Sequence, residues 1–71
     1  MLITEKTKLG AMARMMRILT DRGIEVPVIP TVSKNRWSSD VMKTSAGRIK
    51  WGMGPVLRGP DKGHFTINLE V

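Results

Sequence analysis

The sequence contains no cysteine and a single histidine, His64. No disulfide can therefore support the fold, and no thiolate can bind a metal or attack a substrate. A zinc site needs three or four ligands of the His, Cys, Asp or Glu type, and such residues are scarce in this chain. A hydroxyl nucleophile would need a positioned base, and the chain offers His64 or a lysine for that role. We therefore predict no catalytic residues, no metal site and no cofactor, and we expect that the protein is not an enzyme.

Long apolar runs are also missing. No run reaches the roughly 18 residues that a membrane span needs, and the apolar start, residues 1–3, is too short and too soon followed by charge to be a signal peptide. We expect a cytoplasmic protein with no membrane contact. The 71 residues predict one small domain, residues 1–71, of modest stability, because a chain of this size buries only about 60% of its unfolded surface.

Acidic residues are few. Six Asp and Glu residues stand against twelve Lys and Arg residues, which gives a net charge of +6. Residues 34–62 hold seven of the basic residues and two of the acidic ones, a local charge of +5. A localised basic patch attracts polyanions, nucleic acid first and an acidic protein surface second. The alternative is a solvated surface that keeps the protein soluble.

The first half of the chain predicts a helix followed by an extended connector. Apolar residues recur at helical spacing, Thr4 can cap the start, and Gly23 follows the last periodic residue. The stripe consists of Leu9, Met12, Met15, Met16, Ile18 and Leu19. We place the helix at about residues 5–22. Residues 24–32 contain Pro27 and Pro30, which exclude a central strand, so this segment is an edge strand or a connector laid over the core.

The second half predicts a hairpin over about residues 36–53 and a last strand over residues 64–71. Apolar residues alternate with polar ones in the last strand, and its core-facing residues are Phe65, Ile67, Leu69 and Val71. The glycines of residues 52–54 and Gly59 lack the GK[ST] ending of a phosphate-binding loop, so we expect loop glycines. The predicted fold class is α+β, with one N-terminal amphipathic helix packed on a small three-stranded antiparallel sheet.

The candidate site is the outer face of the hairpin. Arg48 and Lys50 alternate with Ile49 and Trp51, so one side of the strand is basic and the other faces the core. The predicted nucleic-acid or partner-binding residues are Arg36, Lys43, Arg48, Lys50, Arg58 and Lys62. Trp37 and Trp51 are candidates for stacking on a base. The alternative for each tryptophan is an anchor in the core.

Two segments carry a family resemblance. Residues 37–48 read Trp-Ser-Ser-Asp-Val-Met-Lys-Thr-Ser-Ala-Gly-Arg, and residues 65–69 read Phe-Thr-Ile-Asn-Leu. Together, over residues 36–71, they resemble the front part of the SprT-like domain of Spartan-type proteins. Those proteins are zinc metalloproteases that act on DNA-bound proteins, and their His-Glu-x-x-His helix would follow the last strand. These residues lack that helix, so the resemblance implies the scaffold and an affinity for DNA without peptidase activity.

Three functions remain open at this point. The leading interpretation is a small basic binding protein, of phage or mobile-element type, whose hairpin face contacts nucleic acid or a nucleic-acid-handling complex. As the ligand, DNA is favoured over RNA. The second is an incomplete SprT-like metalloprotease fragment that acts with another chain. The third is an inhibitor that places its basic face on an acidic surface of a host nucleic-acid-binding enzyme.

Overall fold

The structure is a computed structural model, and it describes residues 1–28 and 36–71. Its elements are β1 (Leu2–Glu5), α1 (Lys8–Asp21), β2 (Ser38–Thr44), β3 (Gly47–Pro55) and β4 (Phe65–Leu69). The strands form one antiparallel sheet in the order β1-β4-β3-β2. The predicted α+β class is confirmed. The predicted number of strands is wrong, because the sheet has four strands and not three.

The additional strand lies where we predicted the start of the helix. Strand β1 pairs with β4, and Ile3 lies opposite Ile67. The Met1 amino group donates a hydrogen bond to the Leu69 carbonyl oxygen at 2.6 Å, and the Leu69 N–H donates to the Met1 carbonyl oxygen at 2.8 Å. Pairing with β4 satisfies this backbone and buries Ile3 in the core. A helix that began at residue 5 would lose the pairing with β4 and the burial of Ile3.

Helix α1 therefore begins at Lys8 and ends at Asp21, inside the predicted range of 5–22. Its cap is Thr7 and not Thr4: the Thr7 hydroxyl accepts a hydrogen bond from the Gly10 N–H at 3.0 Å. At the other end, Gly23 has a φ of +71°, its N–H donates to the Thr20 carbonyl oxygen, and the Ile24 N–H reaches the Leu19 carbonyl oxygen. This pair of bonds is a Schellman motif, with glycine where the sequence predicted it.

The face that α1 turns to the sheet differs from the predicted one. The buried helix residues are Ala11, Met15 and Leu19, at a spacing of four. Leu9 is 80% exposed, so its predicted place in the core is wrong. It lies two residues from Ala11, which is about 200° of rotation around the helix, and therefore faces solvent. Met12, Met16 and Ile18 pack at the margins of the core.

Strands β2 and β3 form the predicted hairpin, and its turn is held from two sides. Within the turn, the Thr44 hydroxyl donates to the Gly47 carbonyl oxygen at 2.7 Å, and Gly47 has a φ of +100°. From outside, the Ser45 N–H donates to the Glu25 carbonyl oxygen, and the Glu25 N–H donates to the Ser45 hydroxyl. Residues 24–28 form neither helix nor strand. The rest of the predicted connector, including Pro30, lies outside the described residues.

Strand β4 is central and shorter than the predicted residues 64–71. Ile67 and Leu69 are fully buried, whereas Val71 is 48% exposed, so its predicted core position is wrong. The pairing of β4 ends at Leu69, which leaves Val71 beyond the packed part of the sheet. Thr66, which we expected to face away from the core, does face away from α1. It is nevertheless buried, with its hydroxyl 3.3 Å from that of Thr4.

Candidate nucleic-acid interface

Helix α1 packs against β1 and β4 on one side of the sheet, and we call the opposite side the open face. Residues that lie directly opposite each other on neighbouring strands point to the same side. The register therefore defines rows of side chains across the open face, about 7 Å apart along the strands. In order, the rows are Thr4–Thr66–Gly54, Leu2–Asn68–Gly52–Ser39, Lys50–Val41 and Arg48–Lys43.

The last two rows form a basic end. Lys43 lies directly opposite Arg48, and Lys50 lies two residues further along β3. All three side chains are exposed. Within residues 1–28 and 36–71, none of them makes an ion pair, unlike Arg14, which pairs with Glu5 at 2.8 Å. Three cations thus share this face, and none of them is in an ion pair with a described residue.

The hairpin's own acid lies on the other side of the sheet. Asp40 lies directly opposite the buried Trp51, so its side chain projects from the same side of the sheet as Trp51. This is the side on which α1 packs against β1 and β4. The Asp40 Oδ1 accepts a hydrogen bond from the Val41 N–H at 2.7 Å.

Glu70 follows β4 beside Lys50 and donates its N–H to the Lys50 carbonyl oxygen at 3.0 Å. Asn68 faces the open face and Leu69 faces the core, so the alternation along this strand directs Glu70 toward the open face beside Lys50. Among the described residues, the open face therefore carries three cations of the hairpin and one acidic residue, Glu70.

Trp37 occupies the opposite end of the open face. Its ring lies on Gly54: a Cβ atom built on that glycine would come within 2.7 Å of the indole Cγ, Cδ2 and Cε2 atoms. Because Gly54 has no side chain, the ring reaches the backbone of β3 directly. The Trp37 side chain is nevertheless half exposed, at 51%. One surface of the indole is seated on the sheet, and the other is open to solvent.

The two tryptophans therefore occupy different environments. Trp51 is 3% exposed and belongs to the core cluster, on the opposite side of β3 from Lys50. A ring buried in the core has no free surface to offer a base. Of the two residues predicted as candidates for stacking, Trp37 is the one that lies on the same face as the basic end.

The six predicted binding residues fall into two groups. Lys43, Arg48 and Lys50 lie near the hairpin turn. Arg36 adjoins Trp37, and Arg58 and Lys62 belong to the loop of residues 56–64 that follows β3. Strand β3 runs eight residues from Arg48 to Pro55, or about 25 Å. The sequence-predicted set is thus not one patch: Lys43, Arg48 and Lys50 form the basic end, and the other three residues lie toward the opposite end of β3.

Small residues lie between the basic end and Trp37. Ser39, Gly52 and Asn68 lie side by side there. They line a shallow depression together with Asp40, Val41, Lys50, Trp51 and Glu70. Gly54 was expected to be a loop glycine beyond the hairpin strand, but it lies within β3, as Gly52 does. Because these two glycines have no side chains, no side chain of β3 covers its backbone on the open face at either position. The alternation of residues 48–53 already predicted that Gly52 faces outward, but the contact of Gly54 with Trp37 needed the register of the hairpin.

Two kinds of feature are absent from the described part of the chain. No helix there is long and apolar enough to span a membrane. Nor do residues 1–28 and 36–71 contain a group of three or more His, Asp or Glu residues that could hold a metal ion. No family model, no curated protein and no solved structure matches the chain.

Proposed function

We propose that this protein binds nucleic acid through the open face and catalyses no reaction of its own. The observation that carries the proposal is the gathering of Lys43, Arg48 and Lys50 on the open face, where none of them forms an ion pair with a described residue. Neutralising phosphates with such cations releases condensed counterions, which is the main source of affinity for a nucleic acid. Phosphates therefore suit this surface.

The arrangement favours a repeating polyanion over a single acidic patch. The cations lie in successive rows along the strands, and the face continues for about 20 Å to Trp37. Phosphates recur at regular intervals along a nucleic acid, whereas the carboxylates of a folded protein surface follow no such period. An exposed indole at the far end adds a surface for a base. DNA is the first ligand to test, because the proteins that the sequence resembles act on DNA-bound proteins.

Charge reversal on the open face tests the proposal. The double variant Arg48→Glu, Lys50→Glu should weaken binding to a fluorescein-labelled 12-nucleotide DNA by at least tenfold, measured by fluorescence anisotropy at 100 mM salt. The matched control is Lys6→Glu, Arg17→Glu, which changes the net charge equally at exposed positions off the sheet. Equal losses from both variants would mean that total charge alone decides binding. Unchanged binding by the first variant would remove the open face as the site.

A further inference from the structure

We infer that the ligand of the open face is a single strand, with one base stacked on Trp37 and its phosphates at the basic end. This inference rests on the proposed function and specifies its ligand. The observation behind it is the seating of Trp37 on Gly54. The indole and the three cations lie at opposite ends of the same face of the sheet.

Trp37 is prepared for stacking before any ligand arrives. The backbone of β3 supports one surface of the ring, which leaves the opposite surface exposed to solvent. A ring that is already held in place loses little conformational freedom on binding, so more of the stacking free energy appears as affinity. Base–aromatic stacking accepts every base, because each base has a π-face. The structure therefore points to binding with little sequence preference.

The length of the face sets the length of the ligand. From the row of Gly54 to the row of Arg48 there are three steps of two residues, which is about 20 Å along β3. A single strand of about four nucleotides matches the short end of the site sizes seen on small β-sheet domains. Between the ends, Ser39 and Asn68 offer hydrogen-bonding groups, and Gly52 leaves space above the backbone.

A double helix fits this surface less well. Its bases are already stacked on one another and present no free surface to an indole. At the Trp37 end the four-stranded sheet is about 14 Å wide between the outer backbones, whereas the major groove is about 12 Å wide and admits a helix or a two-stranded ribbon. The hairpin beyond β4 is such a ribbon, with Lys43 opposite Arg48. Insertion of that ribbon into the major groove would leave Trp37 without a base to contact. Replacing Trp37 therefore distinguishes groove insertion from single-strand binding.

The experiment compares oligothymidylates of two, four, six and eight nucleotides with a 12-base-pair duplex, each as a competitor for the labelled 12-nucleotide strand. Affinity should rise steeply up to about four nucleotides and then level off. The single 12-nucleotide strand should bind at least tenfold more tightly than the duplex. Oligouridylate of the same lengths is compared with oligothymidylate. Similar affinities mean that the site recognises phosphates and bases, and a lower affinity for oligouridylate means that the site prefers DNA. Equal affinity for strand and duplex would overturn the inference.

Replacing Trp37 supplies the second readout. Trp37→Ala should weaken binding of the eight-nucleotide strand by roughly tenfold to a hundredfold, while the salt dependence stays unchanged because no phosphate contact is lost. Trp37→Phe should recover part of the loss. The matched control is Leu57→Ala, another exposed apolar residue, at 65% exposure and off the sheet. In the unaltered protein, ligand should quench the emission of Trp37 and protect it from acrylamide, a readout that needs no variant.

The two proposals fail in different ways. The single-strand inference is wrong if two results are found together. Trp37→Ala binds as tightly as the unaltered protein, and the emission of Trp37 in the unaltered protein does not respond to ligand. The proposed function then stands, provided that Arg48→Glu, Lys50→Glu still loses binding. If Arg48→Glu, Lys50→Glu also binds normally, both the proposed function and the single-strand inference are wrong.

Discussion

Lys43 and Arg48 lie directly opposite each other across β2 and β3, on the open face of the sheet. Like charges in opposed positions destabilise an antiparallel pair. In the described part of the chain, no acidic side chain forms an ion pair with either cation. The pair therefore costs stability that a neutral pair would not, and this cost is consistent with the proposed binding of an anionic ligand.

Removing one charge of this pair should make the protein more stable. Lys43→Thr replaces the cation with a β-branched residue, and the free energy of unfolding should rise by about 0.5 kcal/mol at low salt. The gain should shrink above roughly 0.5 M salt, where screening already relieves the repulsion. Urea denaturation at two salt concentrations measures both effects. The control is Lys62→Thr in the loop after β3, which should show no gain, and a loss of stability in Lys43→Thr would contradict the repulsion.

A methyl group on Gly54 should displace the indole of Trp37. Its Cβ atom would overlap the ring, and relieving the overlap should cost about 1–3 kcal/mol of stability. The emission of Trp37 should shift to longer wavelength and become more accessible to acrylamide. Gly52→Ala is the matched control on the same strand, because its Cβ would meet the Ser38 carbonyl oxygen at 3.4 Å, an ordinary contact. Identical spectra for the two variants would show that Trp37 does not rest on Gly54.

The core of the fold depends on β4. Ile67 is fully buried between Ile3 and Met53 in the register of the sheet. Ile67→Ala should cost about 2–5 kcal/mol, enough to unfold much of a domain with such a small core. Thermal denaturation followed by circular dichroism measures the loss. Val71→Ala is the exposed control from the same end of the chain and should change the midpoint little; an unchanged midpoint for Ile67→Ala would exclude this strand from the core.

The sequence predicted the parts of the fold that have a clear local period. The alternation of residues 48–53 correctly placed Ile49, Trp51 and Met53 in the core. Strand β1 was missed because it is four residues long and its partner residues lie 60 to 66 positions away in the chain. Leu9 was misplaced because residues 9–19 contain overlapping apolar stripes, and contact with the sheet selects one of them.

The sequence predicted the directions of side chains in the candidate site but not which residues lie together there. The outward direction of Arg48 and Lys50 follows from a period of two. The pairing of Lys43 with Arg48 requires the register of the hairpin, which a one-residue slip would reverse. The difference between Trp37 and Trp51 depends on burial by distant parts of the chain. Sequence patterns thus indicate the face of a strand, but tertiary packing decides which residues share it.

The most direct test of the account is the salt dependence of binding to the eight-nucleotide oligothymidylate. Each phosphate contact with a single strand contributes a slope of about −0.7 to log K against log salt, so three contacts predict about −2. Replacing Lys43, Arg48 or Lys50 singly with Gln should make the slope shallower by about 0.7 each time, and Lys6→Gln should leave it unchanged. A slope near −2 that moves with the open-face residues alone is the predicted result. A slope near zero, or one that changes equally in all four variants, would contradict binding of phosphates by the open face.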